Sequence, residues 1–439
     1  MAEDMRNDVL ARIEEHGVRF VQLWFTDLLG NLKSIEIPAS ETAKALDRGI
    51  GFDGSSIHGF ARIDESDMLA KPVPETFAVL PWENVGRLIC DVVHPSGEPY
   101  EGDPRWILKQ AVARAAEKGL TMNVGTELEY FYLTSNHSLD TLDSAGYFDL
   151  SPPDDSTEIR RETVLAIESM GIPIEAAHHE VAPSQQEIDL RHCEALQMAD
   201  RLMTSRYLVK EVARRHGIHA TFMPKPLNGE NGSGMHTHMS LARFDGSNAF
   251  FDADDPIHLS ALARGYLAGI MTHAKEIIGV CAQWVNSFKR LVPGFEAPVY
   301  ITWSCRNRSN MIRIPMYEHG SEGATRIEFR APDPACNPYL AFAVMLHAGI
   351  EGIEHEYPLA DPAEFDVYEL SAEERETRGI EMLPGSLNEA IACMRSSALM
   401  RDALGDHIFE KFIENKQIEW DAYRSQVHRY EIDRYLAVL

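Results

Sequence analysis

Polar and apolar positions alternate along the segment RIEFR, residues 326–330. In an extended strand, side chains point to opposite faces at every second residue. Arg326, Glu328 and Arg330 therefore share one face, while Ile327 and Phe329 form the other. The apolar face indicates a strand that packs on a core. The polar face either meets solvent or lines a site that binds anions and a cation.

Apolar stretches near the N-terminus predict a small domain of mixed sheet. One short helix precedes VRFVQLWF, TFAVLPW and RLICDVVHP, which are separated by Gly, Pro and Asp turns. A helix then begins with Asp103 as N-cap and Pro104 in its first turn, and ends at Gly119. This start predicts a boundary between an N-terminal domain, residues 1–102, and a larger domain, residues 103–439.

Helical patterns alternate with strand-like segments in the larger domain. Several of the predicted helices begin at a Ser or Asn cap or end in glycine. They cover residues 156–170, 192–216, 257–278, 338–356, 387–403 and 407–436. Ser386 and Glu389 have the spacing of a capping box. The pattern predicts an α/β region.

Composition is that of a globular chain. Of 439 residues, 44% are hydrophobic and 25% charged, and no repeat is visible. The net charge of -27 argues against a nucleic-acid surface, which needs clustered Lys and Arg. No signal peptide or membrane span is indicated, so we expect a cytoplasmic protein. The six cysteines lie far apart, without a C-x-x-C pair, and are expected to be reduced thiols.

Carboxylates and histidines are concentrated on the polar faces of the strand-like segments. Each face alone is explained more simply as solvated surface. Together, five carboxylates with a single ligand-type histidine and no thiolate make a hard, oxygen-rich set that suits Mg²⁺ or Mn²⁺ better than structural zinc. The residues are Glu127 and Glu129 in TELEY, Glu180 and Glu187 in HHEVAPSQQEIDL, His236 and His238 in GSGMHTHMSL, and Glu328. Without cations these carboxylates would repel one another in one cavity, so we expect two divalent ions.

Arginine is concentrated in another part of the chain. Because Arg binds carboxylate and phosphate in a bidentate manner, this set indicates anionic substrates. Its members are Arg290, Arg306, Arg308, Arg313, Arg326 and Arg330. A surface salt-bridge network is the alternative, and we expect Arg306 to be the structural member. Metals with arginine clamps are typical of phosphoryl transfer. No Walker loop is present, so a nucleotide would need another scaffold.

Three loops have less specific patterns. KRLVPGFEAP contains Glu296 between Pro and Gly residues, as do loops that close over sites, although solvent exposure explains it equally well. In FDGSSIHGF, Asp53 precedes Gly54, and a turn is the default interpretation. NGENGSG would allow close approach of backbone to a ligand, but a plain turn also explains it.

In their order and spacing these motifs resemble the glutamine synthetase family, in its bacterial and archaeal type I, over essentially the whole chain. The motifs are FDGSSI, ELE, HHEVAPSQQEID, NGSGMHTHMS, KRLVPGFEAP, NRSNMIRIP and RIEFRAPDPACNPYL. The resemblance implies an α+β fold, with a β-grasp N-terminal domain and a catalytic domain built on a curved antiparallel sheet. It also implies a dodecamer of two hexameric rings with active sites between subunits.

The same resemblance implies a function and its residues. The chain would be an ATP-dependent ligase that makes glutamine from glutamate and ammonium through γ-glutamyl phosphate. The first metal would be bound by Glu129, Glu180 and Glu187, and the second by Glu127, His236 and Glu328. ATP would be bound by Glu175, His238, Ser240, Arg313 and Arg326. Glutamate would be bound by Asn231, Gly232, Arg290 and Arg330.

Further roles concern the acceptor and the intermediate. Asp53 of an adjacent subunit would take a proton from ammonium. Arg308 would stabilise the group in transfer, and Glu296 would close over the intermediate. The ammonium pocket would be completed by Ser56, Tyr147 and Glu180. Arg62 resembles the arginine through which the short form senses glutamine.

Departures from the family pattern leave the amine substrate open. The insertion that accompanies adenylylation is absent, so modification of Tyr368 in DVYELSAEE is not expected. Gly323 stands where the longer form has a lysine that contacts ATP. AQWVNSFKR and RIPMY look more like branches that join polyamines to glutamate, so a γ-glutamyl ligase for polyamines or other amines is the alternative. A non-catalytic scaffold is a third hypothesis, against which the costly set of carboxylates argues.

Overall fold

The computed structural model describes residues 2–57, 66–82, 84–150, 155–295, 297–307, 309–316 and 320–439. Within these ranges the chain forms two sheets, and apolar side chains gather in two core clusters. All six cysteines lie in the same ranges and are unpaired. Among the helices described, none has the length and apolar character needed to cross a membrane.

The N-terminal part of the chain contains two helices and the short strands of the first sheet. Their bounds are α1 Ala2–Glu15, β1 Phe20–Thr26, β2 Leu32–Pro38, α2 Thr42–Arg48, β3 Ile50–Asp53, β4 Asp67–Pro72, β5 Ala78–Val79 and β6 Val85–Val93. The strand order is β2-β1-β6-β4-β3, and β5 also pairs with β6. Strands β1 and β6 run parallel, whereas the other neighbours are antiparallel.

Strand β1 contributes to both cores because its side chains alternate between faces. Val21, Leu23 and Phe25 lie in the core of the N-terminal sheet. Trp24 points to the opposite face and joins the larger core, together with Leu28 from the turn that follows. The N-terminal sheet therefore forms one wall of the larger core.

The second sheet is arranged around a long central strand. Its strands are β7 Leu120–Leu133, β8 Ile174–His179, β9 Gln185–Glu194, β10 His219–Thr221, β11 Thr237–Arg243, β12 Trp303–Ser304, β13 Ile312–Arg313 and β14 Ile327–Phe329. The order is β12-β13-β14-β11-β7-β9-β8, and β10 pairs with the end of β7. Pairing is antiparallel except between β12 and β13. Register shifts between Val124 and Thr126 bend the sheet.

Helices cover this sheet and complete the core. They are α3 Pro104–Glu117, α4 Asp155–Ser169, α5 Ala195–Arg215, α6 Ala261–Thr272, α7 Ala274–Cys281, α8 Ser287–Arg290, α9 Pro338–Glu354, α10 Ala372–Thr377, α11 Leu387–Arg395, α12 Ala398–Arg424 and α13 Arg429–Tyr435. Helix α9 is almost wholly buried. Asn337 caps it by accepting hydrogen bonds from Tyr339 N and Leu340 N, while its own amide donates to the carbonyl oxygens of Asp27 and Leu28.

Helices α6 and α9 approach each other closely at glycines. A Cβ on Gly269 would lie 2.0 Å from the carbonyl oxygen of Ala348, and one on Gly352 would lie 2.2 Å from that of Gly265. Side chains other than hydrogen therefore do not fit at this crossing. The almost wholly buried α9 is held against α6 at backbone distance.

Several predicted helix boundaries differ from the structure. The predicted helix 257–278 is two helices that meet at His273, and residues 192–194 belong to β9. Between residues 387 and 436 the helical structure is interrupted after Arg395 and again before α13. Within α12 it bends at Gly405, which has φ 67°. At the predicted capping box, Ser386 accepts from Glu389 N as expected. The Glu389 carboxylate accepts from Gly385 N, one residue before the cap, where a full capping box would have it accept from Ser386 N.

Candidate active site

A row of charged side chains crosses the second sheet from β13 to β8. Neighbouring strands place Arg313 opposite Glu328, Glu328 opposite His238, Glu129 opposite Glu187, and Glu187 opposite His178. Because paired residues share a face, these polar side chains meet although they are distant in sequence. All of them except His238 line a cavity of about 620 Å³.

Glu328 and Arg330 on the polar face of RIEFR line this cavity, and Arg326 lines a neighbouring one. Glu328 is 1% exposed and lies 2.7 Å from a guanidinium nitrogen of both Arg313 and Arg330. Its Oε2 has no hydrogen-bond donor among the described residues, since the Arg313 Nε–H is not directed at it. Arg326 lies further along the sheet, where its Nε donates to His238 Nδ1 at 3.2 Å. One lone pair of a buried carboxylate is therefore available to a cation.

Glu127 is held between two histidines. His236 Nδ1 donates to one carboxylate oxygen at 2.6 Å and His238 Nε2 donates to the other at 2.7 Å. Burial opposes ionisation of Glu127, but attraction to His236 and both hydrogen bonds lower its pKa. Candidate ligand atoms of Glu127, His238 and Glu328 lie within 4.8 Å of one another. The resemblance named His236 as the histidine ligand, whereas this set contains His238. His236 Nδ1 lies 3.8 Å from Glu328 Oε1.

The other acidic residues line the same cavity at the β7–β9–β8 edge. Glu129 accepts hydrogen bonds from Gln185 Nε2 and Gly234 N, each at 2.9 Å, and Glu187 lies 3.1 Å from His178 Nε2. Burial raises the pKa of Glu129 and of Glu187, and repulsion from neighbouring carboxylates raises both further. The protein alone thus balances little of the negative charge of these carboxylates, as expected where cations bind.

Sequence reasoning missed His178, Gln185 and Asp189, which also line the cavity. Ligand atoms of His178, Glu187 and Asp189 also lie within 4.8 Å of one another. Burial, and then the charge of Glu127, raise the pKa of Asp189 to about 6. Asp189 could have been found from its spacing, because it follows Glu187 by two residues on one strand face. Gln185 carries no such signal, since its role depends on the turn before β9.

The residues predicted for glutamate also line the larger cavity. They are Asn231, Gly232, Arg290 and Arg330. Arg290 is 4% exposed, and its Nη1 and Nη2 donate to the backbone carbonyl oxygens of Ala331, Pro332 and Arg330. A Cβ on Gly232 would lie 2.3 Å from the Pro224 carbonyl oxygen, so this close turn requires glycine.

The residues predicted for ATP line a second cavity of about 450 Å³. They are Glu175, His238, Ser240, Arg313 and Arg326. Gly323 lines it as well. Glu127, Asp189 and Arg313 line both cavities, so the two spaces meet at these side chains. A ligand in one cavity can therefore lie next to a ligand in the other.

Comparisons with known proteins bear on this arrangement. Family models of the glutamine synthetase beta-Grasp domain and of the glutamine synthetase catalytic domain match residues 17–95 and 101–435. The chain belongs to the glutamine synthetase family. The glutamine synthetase of Methanosarcina mazei is 48% identical over 442 residues, 99% of this chain and 98% of that protein. That of Thermotoga maritima is 50% identical over 432 residues, 97% of this chain and 98% of that protein.

A solved structure gives the same fold. A GmaS complex with ADP has a TM-score of 0.88 at 34% identity, and the match covers 98% of this chain and 99% of that chain. The expected α+β architecture, with a β-grasp domain before the catalytic domain, is confirmed. So are the glutamine synthetase family and its class of enzyme, a glutamate–ammonia ligase. The roles of individual residues stay predictions.

Of the residues predicted for the ammonium pocket, only some line the larger cavity. Tyr147 and Glu180 line the larger cavity, but Asp53 is exposed on β3, where it accepts hydrogen bonds from the backbone and hydroxyl of Ser55. These hydrogen bonds lower its pKa. Arg306 is exposed and is not among the lining residues of either cavity. The predictions for Arg62, Glu296, Arg308 and the side chain of Ser56 fall outside the described residues.

Proposed function

We propose that this chain joins ammonium to the γ-carboxylate of glutamate, with ATP as the phosphoryl donor, through γ-glutamyl phosphate. One observation carries the proposal: the two cavities meet at Glu127, Asp189 and Arg313. A nucleotide in the smaller cavity would have its terminal phosphate beside a carboxylate in the larger one. Transfer between them needs positioning and charge stabilisation above all.

Divalent cations, Mg²⁺ or Mn²⁺, fit the carboxylates between the cavities. Glu129, Glu180 and Glu187 would hold one ion, and Glu127, His236 and Glu328 the second. The buried Glu328 Oε2 without a hydrogen-bond donor and the raised pKa of Glu129 and Glu187 support this assignment. When bound, such ions would polarise phosphoryl oxygens and neutralise charge that develops during transfer.

Charged side chains of the chain would bind the two substrates. ATP would be held by Glu175, His238, Ser240, Arg313 and Arg326, and glutamate by Asn231, Gly232, Arg290 and Arg330. Arg290 would act mainly through its positive charge, because its Nη1 and Nη2 already donate to backbone. Arg308 would stabilise the phosphoryl group during its transfer.

The acceptor pocket would need a second copy of the chain. Asp53 of this chain lies on the N-terminal sheet, outside both cavities, which supports an adjacent subunit as the source of the base. That Asp53 would deprotonate ammonium in a pocket with Ser56, Tyr147 and Glu180. Glu296 would close over the acyl phosphate and exclude water that hydrolyses it. We also propose feedback through Arg62.

The assembly and the cellular location follow from the same proposal. We propose a dodecamer of two hexameric rings, in the cytoplasm, that acts on glutamate, ammonium and ATP without nucleic acid or membrane. A division of the chain into residues 1–102 and 103–439 would let the N-terminal domain of one subunit complete the site of the next.

A γ-glutamyl ligase for another amine is the second candidate. The segments AQWVNSFKR and RIPMY favour it. The position of Tyr147 and Glu180 in one cavity wall favours ammonium. Both reactions would use the same metals and arginines, so only the acceptor distinguishes them.

A panel of acceptors tests the proposal. Purified chain with ATP, Mg²⁺ and glutamate is offered ammonium, putrescine, spermine or ethanolamine in parallel, and phosphate release is measured against a sample without amine. We expect release with ammonium, with glutamine as the product. Release with a polyamine alone would establish the second candidate. No release with any amine would leave only the non-catalytic scaffold.

A further inference from the structure

Behind the wall of the larger cavity, a buried histidine joins separate segments of the chain. His179 is the last residue of β8, directly precedes Glu180, and is 3% exposed. Its Nε2 lies 3.0 Å from Asp143 Oδ1, and its Nδ1 lies 2.6 Å from the backbone carbonyl oxygen of Glu180. Neither Asp143 nor His179 is among the residues that line the cavity.

Both partners of the His179 ring are hydrogen-bond acceptors. A carbonyl oxygen carries no proton, and the Asp143 carboxylate already accepts from the Ser184 N–H and the Ser156 hydroxyl, each at 2.8 Å. The two ring nitrogens thus contact two separate segments of the chain, one at each end of the ring. These contacts, with the hydrogen bonds to the Asp143 carboxylate, fix the orientation of both side chains.

The same pair holds the segment that carries Tyr147. Asp143 Oδ1 accepts from Ala145 N at 3.2 Å, and the backbone carbonyl oxygen of His179 accepts from Phe148 N at 3.2 Å. Tyr147 is therefore bracketed by hydrogen bonds on both sides. Its ring stacks on Phe148 with centroids 4.0 Å apart.

The backbone of this region is held in an unusual conformation. Phe148 has φ 59° and Ser184 has φ 60°, in the left-handed region that residues other than glycine seldom adopt. Ser184 Oγ accepts from Leu142 N at 2.7 Å and from Asp143 N at 3.0 Å, which stabilises its position. Conformations of this kind persist only where the surroundings determine them, and they cluster at functional sites.

We propose that Asp143 and His179 are positioning residues for the ammonium subsite. Glu180 and Tyr147 come from different segments, and the contact between Asp143 and His179 sets the distance between them across the cavity wall. Neither residue of the pair needs to touch a substrate. The inference rests on the proposed function and deepens it, because it assigns acceptor binding to residues outside the cavity.

The test compares the substrates one at a time. The variants His179→Gln and Asp143→Asn keep side-chain size approximately. His179→Gln lacks the ring that joins Asp143 to the Glu180 carbonyl oxygen, and Asp143→Asn lacks the carboxylate that the ring contacts. At saturating Mg²⁺, ATP and glutamate, we expect the KM for ammonium to rise about 10- to 100-fold, as for loss of other supporting hydrogen bonds behind a site. The KM values for glutamate and ATP should stay at their wild-type values.

A matched control separates positioning from a general loss of structure. His273 is a half-buried histidine at the junction of α6 and α7, and its Nδ1 lies 3.1 Å from Glu276 Oε2. It lies outside the lining of both cavities. His273→Gln should lower the melting temperature to a similar extent without changing the KM for ammonium. If His179→Gln does not fold, Asp143→Asn decides the question.

Two results would overturn the inference while the proposed function stands. One is an unchanged KM for ammonium in both variants, in an enzyme whose wild type makes glutamine. The other is a shifted Mg²⁺ dependence with an unchanged KM for ammonium, because the pair would then position a metal ligand instead. A wild type that forms no glutamine from ammonium would remove the proposed function, and the inference with it.

Discussion

At the residue scale, Tyr368 shows how a side chain of the cavity wall can hold a neighbouring loop. Its hydroxyl donates to the carbonyl oxygen of Ala297, and both residues line the larger cavity. Burial raises the pKa of Tyr368 to about 12, so the hydroxyl is a neutral donor under ordinary conditions.

Loss of this hydroxyl should uncouple phosphate release from glutamine formation. In Tyr368→Phe, Ala297 loses a hydrogen bond worth about 1 kcal/mol, so we expect up to about fivefold more phosphate released per glutamine. The ratio is measured with limiting ammonium. Tyr357→Phe is the control, since its hydroxyl lies 3.5 Å from His273, outside the cavities. An unchanged ratio in Tyr368→Phe would contradict a role in holding the loop.

The pattern of polar and apolar positions indicated separate residues of the site, but by itself it did not predict which of them meet. Alternation in RIEFR put Glu328 on a face with two arginines. It could not show that Arg313 and His238 flank Glu328 on neighbouring strands, because strand register depends on contacts distant in sequence. For the same reason the pattern could not show that His238 groups with Glu127 and Glu328 as candidate ligands.

At the element scale, the crossing of α6 and α9 depends on glycine. In Gly269→Ala the new methyl group would overlap the Ala348 carbonyl oxygen, and we expect a loss of about 3 kcal/mol or more in unfolding free energy. Gly279→Ala on α7 is the control, because its Cβ would meet Ala390 Cβ at an ordinary 3.7 Å. That change should be neutral or stabilise by up to about 1 kcal/mol. Equal melting temperatures of the two variants would contradict the tight crossing.

The junction of α3, α9 and α12 should make stability depend on pH. Arg114 Nη1 donates to His347 Nδ1 at 2.9 Å and to Asp402 Oδ2 at 3.1 Å. Burial, and then the charge of Arg114, lower the pKa of His347 to about 4. Below about pH 6.5 a histidine in the unfolded chain binds a proton, whereas His347 in the folded chain stays neutral down to about pH 4. The contribution of neutral His347 to the free energy of unfolding is therefore complete above about pH 6.5 and is lost as the pH falls toward about 4.

The variant His347→Gln should weaken this pH dependence. We expect the difference in unfolding free energy between about pH 7 and about pH 4 to shrink by on the order of 2 kcal/mol. Urea unfolding at several pH values measures it, with His355→Gln as the control at an exposed position after α9. Identical pH slopes for wild type and His347→Gln would count against a neutral buried His347.

Helix positions were predicted better than helix ends. Asp103 caps α3 as the sequence indicated, by accepting from Arg105 N. The break at His273 was missed because the apolar pattern continues through it from α6 to α7. Periodicity detects a buried face, whereas a bend that keeps the same face buried leaves little trace in the sequence.

At the scale of the whole molecule, a shared active site can be tested by mixing subunits. Asp53→Asn and Glu129→Gln should each be inactive alone, because one lacks the proposed base and the other a proposed metal ligand. In mixed assemblies, sites between neighbours should recover about a quarter of wild-type activity by random pairing. Glutamine formation by the co-expressed and co-purified mixture measures this. Mixed assemblies without activity would show that Asp53 serves its own chain.

The N-terminal sheet has a further consequence for handling the protein. Trp24, 1% exposed, fills space in the core of the second sheet although it belongs to β1, and Leu28, Leu80 and Val85 accompany it. A fragment that starts at residue 103 would present the vacated apolar surface to water. Engineers who want a smaller crystallisation target or a fusion partner would do better to trim exposed termini than to cut between the two sheets.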